Sequence, residues 1–373
     1  MSPSNLLPKT LICLASLWVG SVQANDLKTL YEAAMVNNAD IQAASSALEA
    51  AEQQKPAARG ALLPRVDLHA TGQYSHNDNE RSFVFNGSSV NNDSKETYPH
   101  WLVGAQITHP LFDRAKFVDY TKADVGILQS TAQLELTRQR VTSDILTGYF
   151  ELLAAQDNLG ISDAELAAAD AHLEVMKKRF EVGFSAITDV LEAQSRRDLV
   201  NAARVENSRK VQESREKLQT LVGQPIPERV NSLSERLTIM MPPQPLPELL
   251  ALAQRSNLNY VLARTAIQSA ELDLEKVRSS HYPTVNAFAG VQYSDSTESD
   301  NGGKGVNGEL GLRVAYNLFD SGSTRAYKRQ THALIQQKRA NALQAQREIE
   351  AQIRNSYEGI RPAINLVDAN AQA

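Results

Sequence analysis

The feature that most constrains the fold of this chain is a stretch of more than a hundred residues without proline, between Pro110 and Pro225. Apolar residues recur every seven positions from Tyr120 to Val141, and strong helix formers fill the positions between them. This pattern predicts a long helix with a supercoiling seam rather than a series of short globular helices. Its first arm, of roughly 69 residues at ~1.5 Å each, is about 100 Å long, which is more than a compact domain needs.

The proline-free stretch breaks once. Three cations at 177–179 precede Gly183, which is the stop signal of a helix whose C-terminal carbonyls favour positive charge. Asp189 then stands three residues before a glutamate, at capping-box spacing, so a second helix starts almost at once. We therefore predict an antiparallel helical hairpin over residues 113–223, with its tip near residues 183–189.

The first residues have the pattern of a secretory signal peptide. A cation at Lys9 precedes an apolar run too short to span a bilayer, and small residues stand just before position 25. The only cysteine, Cys13, lies in this segment. We expect residues 1–24 to be removed, which leaves a mature chain outside the cytoplasm with no disulfide and no thiol nucleophile.

Charge and hydropathy exclude two further classes. The net charge is −5 with both signs well mixed, so the chain has no electrostatic footprint for nucleic acid. After the signal peptide no run of 18 apolar residues occurs, so the sequence predicts no transmembrane helix.

Before the long helix the apolar period changes from that of helices to that of strands. Residues 26–60 are Ala-rich and predict two short helices, whereas residues 65–74 alternate between apolar and polar side chains. About ten alternating residues is the length of a tilted membrane-spanning strand. We predict a strand pair at 63–76 and 99–112, joined by a polar loop over residues 76–95.

The chain then repeats itself after a Pro-rich linker at 225–247. The tripeptide at 73–75 recurs at 292–294, and that at 111–113 recurs at 318–320. This self-similarity predicts a tandem duplication. The first repeat spans 25–224, and the second spans 248–373, with a strand pair at 282–295 and 306–319 and a long helix at 321–373.

The duplication also gives an expectation for the second hairpin. By the repeat offset, Ala373 corresponds to about residue 165 or 166 of the first copy. The second tip and its returning helix are therefore expected to be missing, through a fragment or a truncated gene. In that form the chain is expected not to build a sealed conduit.

Four strands in one chain cannot close a barrel, and an open strand edge is not tolerated in lipid. If the strands are membranous, three copies would supply 12 strands and leave a lumen. The polar strand positions would line this lumen: Arg65, Asp67, His69, Gln106 and Arg313. The apolar and girdle positions would face lipid: Val66, Leu68, Tyr74, Trp101, Val291 and Tyr293.

Several of these features together resemble a known family, the TolC-like outer membrane efflux proteins. They are the Ala-rich helix that ends in Leu63-Pro64, the strand pairs, the two Leu-Phe-Asp turns and, most specifically, the run RFEVGFSAITDVLEAQ from Arg179 to Gln194. The resemblance covers nearly the whole mature chain.

The resemblance implies a mixed α and β membrane protein. Its fold would be a homotrimeric 12-stranded β-barrel, with four strands per chain, continuous with a 12-helix periplasmic barrel. It implies the outer membrane of a Gram-negative bacterium as the location, with the helices in the periplasm. The implied function is the exit duct of a tripartite efflux pump or type I secretion system. A periplasmic adaptor and an inner-membrane transporter would be its partners, and drugs, toxins or proteins its cargo.

The resemblance also assigns roles at the hairpin tip. Asp189 and Thr188 would belong to the periplasmic gate, and Arg179, Gly183 and Phe184 would contact the adaptor. Simpler interpretations stay open: Asp189 as an ordinary helix-start aspartate and Gly183 as an ordinary helix-ending glycine. The lumen charges could likewise be solvated side chains with no part in conductance.

Signals for an enzyme are poor. The seven histidines are scattered, and neither HExxH nor Gly-x-Ser-x-Gly occurs. We therefore expect no enzymatic activity, metal or cofactor. Two rival interpretations remain: a periplasmic adaptor, which would need lipoyl-like β segments around a single hairpin, and a secreted hydrolase with a helical stalk, which would need a catalytic constellation.

Overall fold

The computed structural model describes residues 27–85, 88–231, 240–296 and 303–372. The expected signal peptide at 1–24 and part of the Pro-rich linker lie outside these residues. By its internal contacts the chain divides into two compact units. The first unit combines Met1–Ala39 with Arg140–Leu237, and the second combines Asp40–Gln139 with Thr238–Ala373.

The described residues form seven helices and four strands. The helices are α1 Leu27–Asn37, α2 Ala39–Gly60, α3 Arg114–Glu181, α4 Ile187–Val222, α5 Leu246–Ser256, α6 Leu258–Ser279 and α7 Ser323–Gln372. The strands are β1 Arg65–Phe85, β2 Ser88–Phe112, β3 Thr284–Ser296 and β4 Gly303–Ala315. Two short helices before the first strand and the long helix α3 agree with the predicted periodicities.

In the first unit, α1 packs against the C-terminal end of α4. Leu30 and Ala34 of α1 and Leu218 and Val222 of α4 are all buried, which gives this helix pair an apolar core. Asn38, just after α1, donates from its side-chain amide to the carbonyl of Leu221 at 2.7 Å, so one of the unpaired C-terminal carbonyls of α4 gains a partner.

The hairpin arms α3 and α4 are joined along their length by polar side chains as well as by apolar ones. Arg197 pairs with Asp170 at 2.8 Å, and Arg204 pairs with Asp163 at 2.6 Å. Next to the Arg204–Asp163 pair, the side-chain amide of Asn207 donates to the buried hydroxyl of Ser162 at 2.7 Å. Exposed ion pairs each contribute little to the free energy of folding. Their role here is to align the two arms in one register.

In the second unit, α6 lies among α2, α3 and α7. Ala270 and Leu274 of α6 form a small buried cluster with Ile335 of α7. Around this cluster the helices exchange ion pairs, such as Lys276 with Asp119 at 2.7 Å and Arg339 with Glu271 at 2.9 Å. The Arg114–Glu275 and Lys122–Asp273 pairs join α3 to α6 in the same way.

The second unit also contains an antiparallel sheet in the order β1-β2-β3-β4. The register aligns Leu68, Ala105, Val291 and Gly308 in one row across the four strands. Because directly paired residues point to the same side of a sheet, every such row belongs to a single face. A register shift between Pro110 and Phe112 bends β2 just before α3 begins.

The polar loop expected at 76–95 is wrong. The pairing of β1 with β2 continues from His76 opposite Thr97 to Phe85 opposite Ser88. The strand ladder is made of backbone hydrogen bonds, which polar side chains do not interrupt, and so composition alone misplaced the strand ends.

The second strand pair and its helix also differ from the predicted bounds. Strand β4 ends at Ala315 rather than near residue 319, and α7 begins at Ser323 rather than at residue 321. Ser321 and Gly322 have φ values of 55° and 85°, which belong to the left-handed region and cannot start a right-handed helix.

Candidate functional site

The sheet has one face covered with exposed apolar side chains. Leu68 on β1 is 82% exposed and Leu310 on β4 is 86% exposed. The same face has the other predicted lipid-facing positions and their neighbours on the remaining strands: Val66, Tyr74, Trp101, Val103, Ile107, Val291, Tyr293, Val306, Leu312 and Val314. A continuous apolar surface spread over four strands is unusual in water and marks an interaction with lipid or with another protein.

A glycine on this face makes room for an aromatic ring. Gly72 pairs with Trp101, and a Cβ atom at Gly72 would come within 2.6 Å of the indole ring. The ring therefore lies over the glycine backbone. This arrangement covers a weak point of the strand and holds Trp101 in a fixed orientation.

The opposite face is polar, and the structure places all five predicted lumen residues on it. Asp67 pairs with Gln106, and Arg65, His69 and Arg313 occupy positions of the same parity along their strands. Arg65 and Asp67 form an ion pair of 2.9 Å, whereas Arg313 lies over the ring of Phe288 at 5.0 Å. The latter contact is a cation–π interaction.

Two polar residues of this face were missed by the sequence reasoning. Asn307 and Glu309 of β4 lie in the rows of His69 and Asp67, respectively. The alternation of apolar residues at even positions from 306 to 314 was the available signal, because it sends the odd positions to the polar face.

The hairpin tip lies in the first unit, between the end of α3 and the start of α4. Gly183 has a φ of 78°, and the Phe184 N–H donates to the Arg179 carbonyl at 2.8 Å. This is the left-handed helix ending that the sequence signal predicts. Phe184 is 84% exposed, and Val182, Ile187 and Leu191 beside it are exposed too. The tip therefore presents a small apolar surface to its surroundings.

Asp189 has a structural role in this tip. Its carboxylate accepts the N–H of Ala186 at 3.0 Å, and its own N–H donates to the Ala186 carbonyl at 3.1 Å. Thr188 lies beside it, with its hydroxyl 3.5 Å from the Asp189 carboxylate. The carboxylate thus stabilises the first turn of α4, where the helix dipole also favours negative charge.

The last turns of α3 contain a further ion pair. The Lys178 ammonium lies 2.6 Å from the Glu174 carboxylate. This hydrogen bond, with the positive charge beside it, lowers the pKa of Glu174 below its ordinary value and raises that of Lys178. The Arg179 side chain is exposed. Within the described part of the hairpin, only the backbone of Arg179 makes a hydrogen bond beyond its helix, with Phe184.

Within the described residues, no group of three His, Cys, Asp or Glu side chains is close enough to hold a metal ion. In the same part of the chain, none of the helices has the length and hydropathy needed to cross a membrane.

The comparisons with known proteins agree on one family. The family model described as outer membrane efflux protein matches residues 30–224. The chain is 27% identical to the outer membrane protein TolC of Vibrio cholerae, over 99% of this chain and 80% of that protein. It is 25% identical to the proteases secretion protein PrtF of Dickeya chrysanthemi, over 95% of this chain and 76% of that protein.

Among solved structures, the chain is similar in fold to CusC, with a TM-score of 0.70 and 18% identity over 94% of this chain and 77% of that chain. The shared fold is mostly helical with one four-stranded sheet per chain. Because the family model matches more than half of the sequence, this chain belongs to the family of outer membrane efflux proteins.

Proposed function

We propose that this chain is the exit duct, in the outer membrane, of a tripartite efflux pump or a type I secretion system. It would pass drugs, toxins or proteins to the exterior. The observation that carries the proposal is the two-faced sheet, which is apolar on one side and polar on the other over all four strands. Such a sheet separates lipid from a water-filled lumen.

The proposal requires a homotrimer. Within the described residues, β1 pairs only with β2 and β4 pairs only with β3, so the sheet of each copy has two open strand edges. An unpaired backbone group costs several kcal/mol in lipid, and closure removes that cost. Three copies would close a 12-stranded barrel, with the five polar positions around Asp67 lining the lumen and the apolar band around Leu68 facing lipid.

The internal duplication is part of this proposal. Helices α1 and α5 each have 11 residues, and α2 and α6 each have 22. Each of these helix pairs leads into two paired strands and then a long helix. A trimer built from two such repeats per chain would approximate sixfold symmetry, as expected for a closed helical wall that continues the barrel into the periplasm.

The hairpin tip would provide the contact with the periplasmic adaptor, which in turn joins an inner-membrane transporter. The exposed apolar surface around Phe184, together with Arg179 and the open backbone at Gly183, supports this assignment. Asp189 and Thr188 would contribute to the gate at this end. The relative PrtF takes its name from protease secretion, which favours a protein-secretion system as one of the assemblies that such a duct completes.

No enzymatic role is proposed, because the matching family is one of channel proteins. The adaptor interpretation is also set aside, since an adaptor would not need an amphipathic four-stranded sheet.

The first experiment compares two adjacent substitutions in β1. Leu68→Arg should cost roughly 2–4 kcal/mol if the side chain faces lipid near the bilayer midplane, and the yield of outer-membrane trimer should fall. Asp67→Arg should leave the trimer yield nearly unchanged and alter ion selectivity in planar bilayers. Equal trimer yields for the two variants would show that the faces are assigned wrongly.

The second experiment tests the tip. Gly183→Leu should weaken cross-linking to the adaptor more than it weakens trimer assembly, because it adds a side chain at the contact and forces a left-handed leucine, at about 1–2 kcal/mol. Gly160→Leu is the matched control, since a Cβ atom at Gly160 also meets open space while its backbone is helical. Adaptor cross-linking at normal yield in the Gly183 variant would count against the assignment.

A further inference from the structure

Each repeat contains a contact between its 22-residue helix and its own long helix. In the first repeat, Lys55 of α2 pairs with Asp124 of α3 at 2.6 Å. In the second repeat, Leu274 of α6 is buried with Ile335 of α7. Lys55 and Leu274 occupy the same position at the offset of 219 residues, so the two contacts are equivalent.

Helix α6 makes a further contact, which joins the two repeats. Lys276 pairs with Asp119 of α3 at 2.7 Å, and Asp273 pairs with Lys122 of α3. Lys276 follows Asp273 by three residues, and Asp119 precedes Lys122 by three. The two ion pairs therefore define one antiparallel register between the short helix of the second repeat and the long helix of the first.

The corresponding surface of α2 is open to solvent. At the offset of 219 residues, Gln54 and Ala57 are the counterparts of Asp273 and Lys276, and both are exposed. The first repeat thus has a short-helix surface in the place where the second repeat contacts its predecessor.

The long helix α7 has the complementary open surface. At the offset of 207 residues that relates the two Leu-Phe-Asp turns, Ala326 and Arg329 occupy the positions of the two α3 residues in those ion pairs, and both are exposed. The loss of cover is clearest one residue further along. Ala123 of α3 is 6% exposed, whereas its counterpart Gln330 is exposed.

These two open surfaces are the two halves of one contact. Within the chain, a long helix meets the short helix of the repeat that follows it, which is a head-to-tail relation. Head-to-tail contacts close into a ring when the rotation between the units allows it. Helix α2 leads into the edge strand β1, and α7 follows the edge strand β4. A neighbour that pairs its β1 with β4 therefore also brings its α2 to α7.

We propose that α2 of one copy packs antiparallel on α7 of a second copy of this chain, with Ala57 opposite Ala326 and Gln54 opposite Arg329. The inference rests on the proposed homotrimer and specifies its helical interface.

This interface differs in chemistry from the contact between the repeats. Alanines replace both members of the Lys276–Asp119 pair, and the Gln54 amide replaces the Asp273 carboxylate. The amide oxygen of Gln54 can accept a hydrogen bond from the Arg329 guanidinium, so the interface between copies has a neutral acceptor where the chain itself uses an ion pair.

The test is cross-linking between two copies that have different affinity tags. The background variant is Cys13→Ser, which removes the only cysteine. One copy has Ala57→Cys, the other has Ala326→Cys, and both are produced in the same cells. A bismethanethiosulfonate reagent with a two-carbon spacer should then give a species with both tags. Either variant produced alone should give no cross-linked species.

Two controls test the register and the origin of the link. Ala333→Cys moves the second thiol two turns along α7, or about 10 Å, and the species with both tags should be lost. Lys276→Cys and Asp119→Cys on separate copies should give no such species, because these positions meet within one chain. Equal cross-linking in either control, or none with Ala57→Cys and Ala326→Cys, would overturn the interface.

A failure of the proposed function would be visible separately. Native mass spectrometry gives the number of copies, and planar bilayers give the conductance. Cross-linked trimers without conductance would support the interface and count against the duct. Trimers that lack the cross-link would refute the interface alone, and a monomeric chain would refute both the homotrimer and the interface.

Discussion

Helices α1 and α5 have the same length and a related sequence, yet only one of them has a core. At an offset of 219 residues, Leu30 corresponds to Leu249 and Ala34 to Ala253. Leu30 is 2% exposed and Ala34 is 0% exposed, because the end of α4 covers them, whereas α5 has no buried residue at all. An apolar stripe on a short helix therefore predicts the side that can be covered, and burial depends on the partner.

The polar residue that follows each helix makes the same point. Asn38, 4% exposed, donates to the Leu221 carbonyl at the end of α4, while Asn257 accepts the N–H of Asn259 and caps α6. The side chain of Asn38 thus makes a tertiary contact with the end of α4, and the side chain of Asn257 makes a local contact that caps α6. The local contact follows from sequence alone, and the tertiary one needs the fold.

The largest expected effect is the difference in stability between alanine substitutions at Leu30 in α1 and at the corresponding Leu249 in α5. Leu30→Ala should destabilise the α1–α4 contact by about 2–5 kcal/mol, because a fully buried leucine leaves a cavity. Leu249→Ala should cost less, about 1–2 kcal/mol, since its side chain stays partly exposed to water and its removal leaves no closed cavity. Hydrogen exchange of the amides at the end of α4 and in α5 would measure both changes as local opening free energies.

Equal protection losses in the two variants would break the comparison, because they would mean that α5 is covered as completely as α1. Leu252→Ala is a suitable control, since this leucine of α5 is exposed and should have no measurable effect.

The second prediction concerns the glycine that ends α4 on the α1 surface. Gly223 has a φ of 75°, and a Cβ atom there would lie 2.7 Å from the Asn37 carbonyl oxygen. Gly223→Ala should therefore cost about 1–2 kcal/mol for the left-handed backbone and more for the displaced α1. Thermal unfolding followed by circular dichroism measures the total.

Gly183→Ala separates these two contributions. Its φ is 78°, but a Cβ atom would meet open space, so only the backbone cost of about 1–2 kcal/mol applies. If the two alanine variants unfold at the same temperature, the close approach of α1 to the end of α4 makes no energetic difference, and the first comparison loses its basis.

How far the sequence predicts this molecule depends on whether a feature is local. The helix end at Gly183 was predictable because caps are set by neighbouring residues. The start of α4 was predicted only approximately: Asp189 was expected to begin a capping box with a later glutamate, whereas the helix begins at Ile187 and the Asp189 carboxylate accepts the N–H of Ala186. The two faces of the sheet were predictable because alternation has a period of two. By contrast, the extension of β1 beyond His76 depends on backbone pairing with β2, for which that polar segment gives no signal.

The candidate site divides along the same line. The positions of Arg65 and His69 on the polar face follow from alternation, whereas the lean of Glu309 over Gly290 depends on side-chain placement across two strands. The seating of Gly223 against Asn37 likewise requires two segments that lie far apart in the chain. No spacing rule within a single segment reports such contacts.

The third prediction compares the replacement of Asn38 and of Asn257 by alanine. Asn38→Ala should cost about 1–3 kcal/mol, because it leaves the Leu221 carbonyl without its donor in a part-buried position. Asn257→Ala should cost about 1 kcal/mol, the usual value for a lost helix cap. Hydrogen exchange in the last turn of α4 and the first turn of α6 would assign each loss to its helix, and a loss in α6 from the Asn38 variant would contradict the assignment.

The smallest effect concerns the start of α7, the long helix of the second repeat. The Asp320 carboxylate accepts the N–H of Thr324 at 2.7 Å and that of Gly322 at 3.1 Å. Hydrogen bonds from the Thr324 side chain and backbone hold the pKa of Asp320 below its ordinary value of 3.8. Asp113 accepts the N–H of Ala115 at the start of α3, so the two repeats begin their long helices with the same kind of contact.

When folding lowers the pKa of a carboxyl group, the ionised group stabilises the folded form at pH values above its ordinary pKa. This stabilisation is lost as the pH falls through the lowered pKa. The start of α7 should therefore be independent of pH from 5 to 8 and should loosen only below about 4. The titration of the Asp320 carboxyl carbon by NMR, together with the amide shifts of Gly322 and Thr324, measures this directly.

Asp320→Asn should remove the pH dependence of the two amides while keeping an acceptor for them. A measured Asp320 pKa of 3.8 or higher would show that the cap is not formed, because hydrogen bonds to the ionised carboxylate lower its pKa below the value in the unfolded chain.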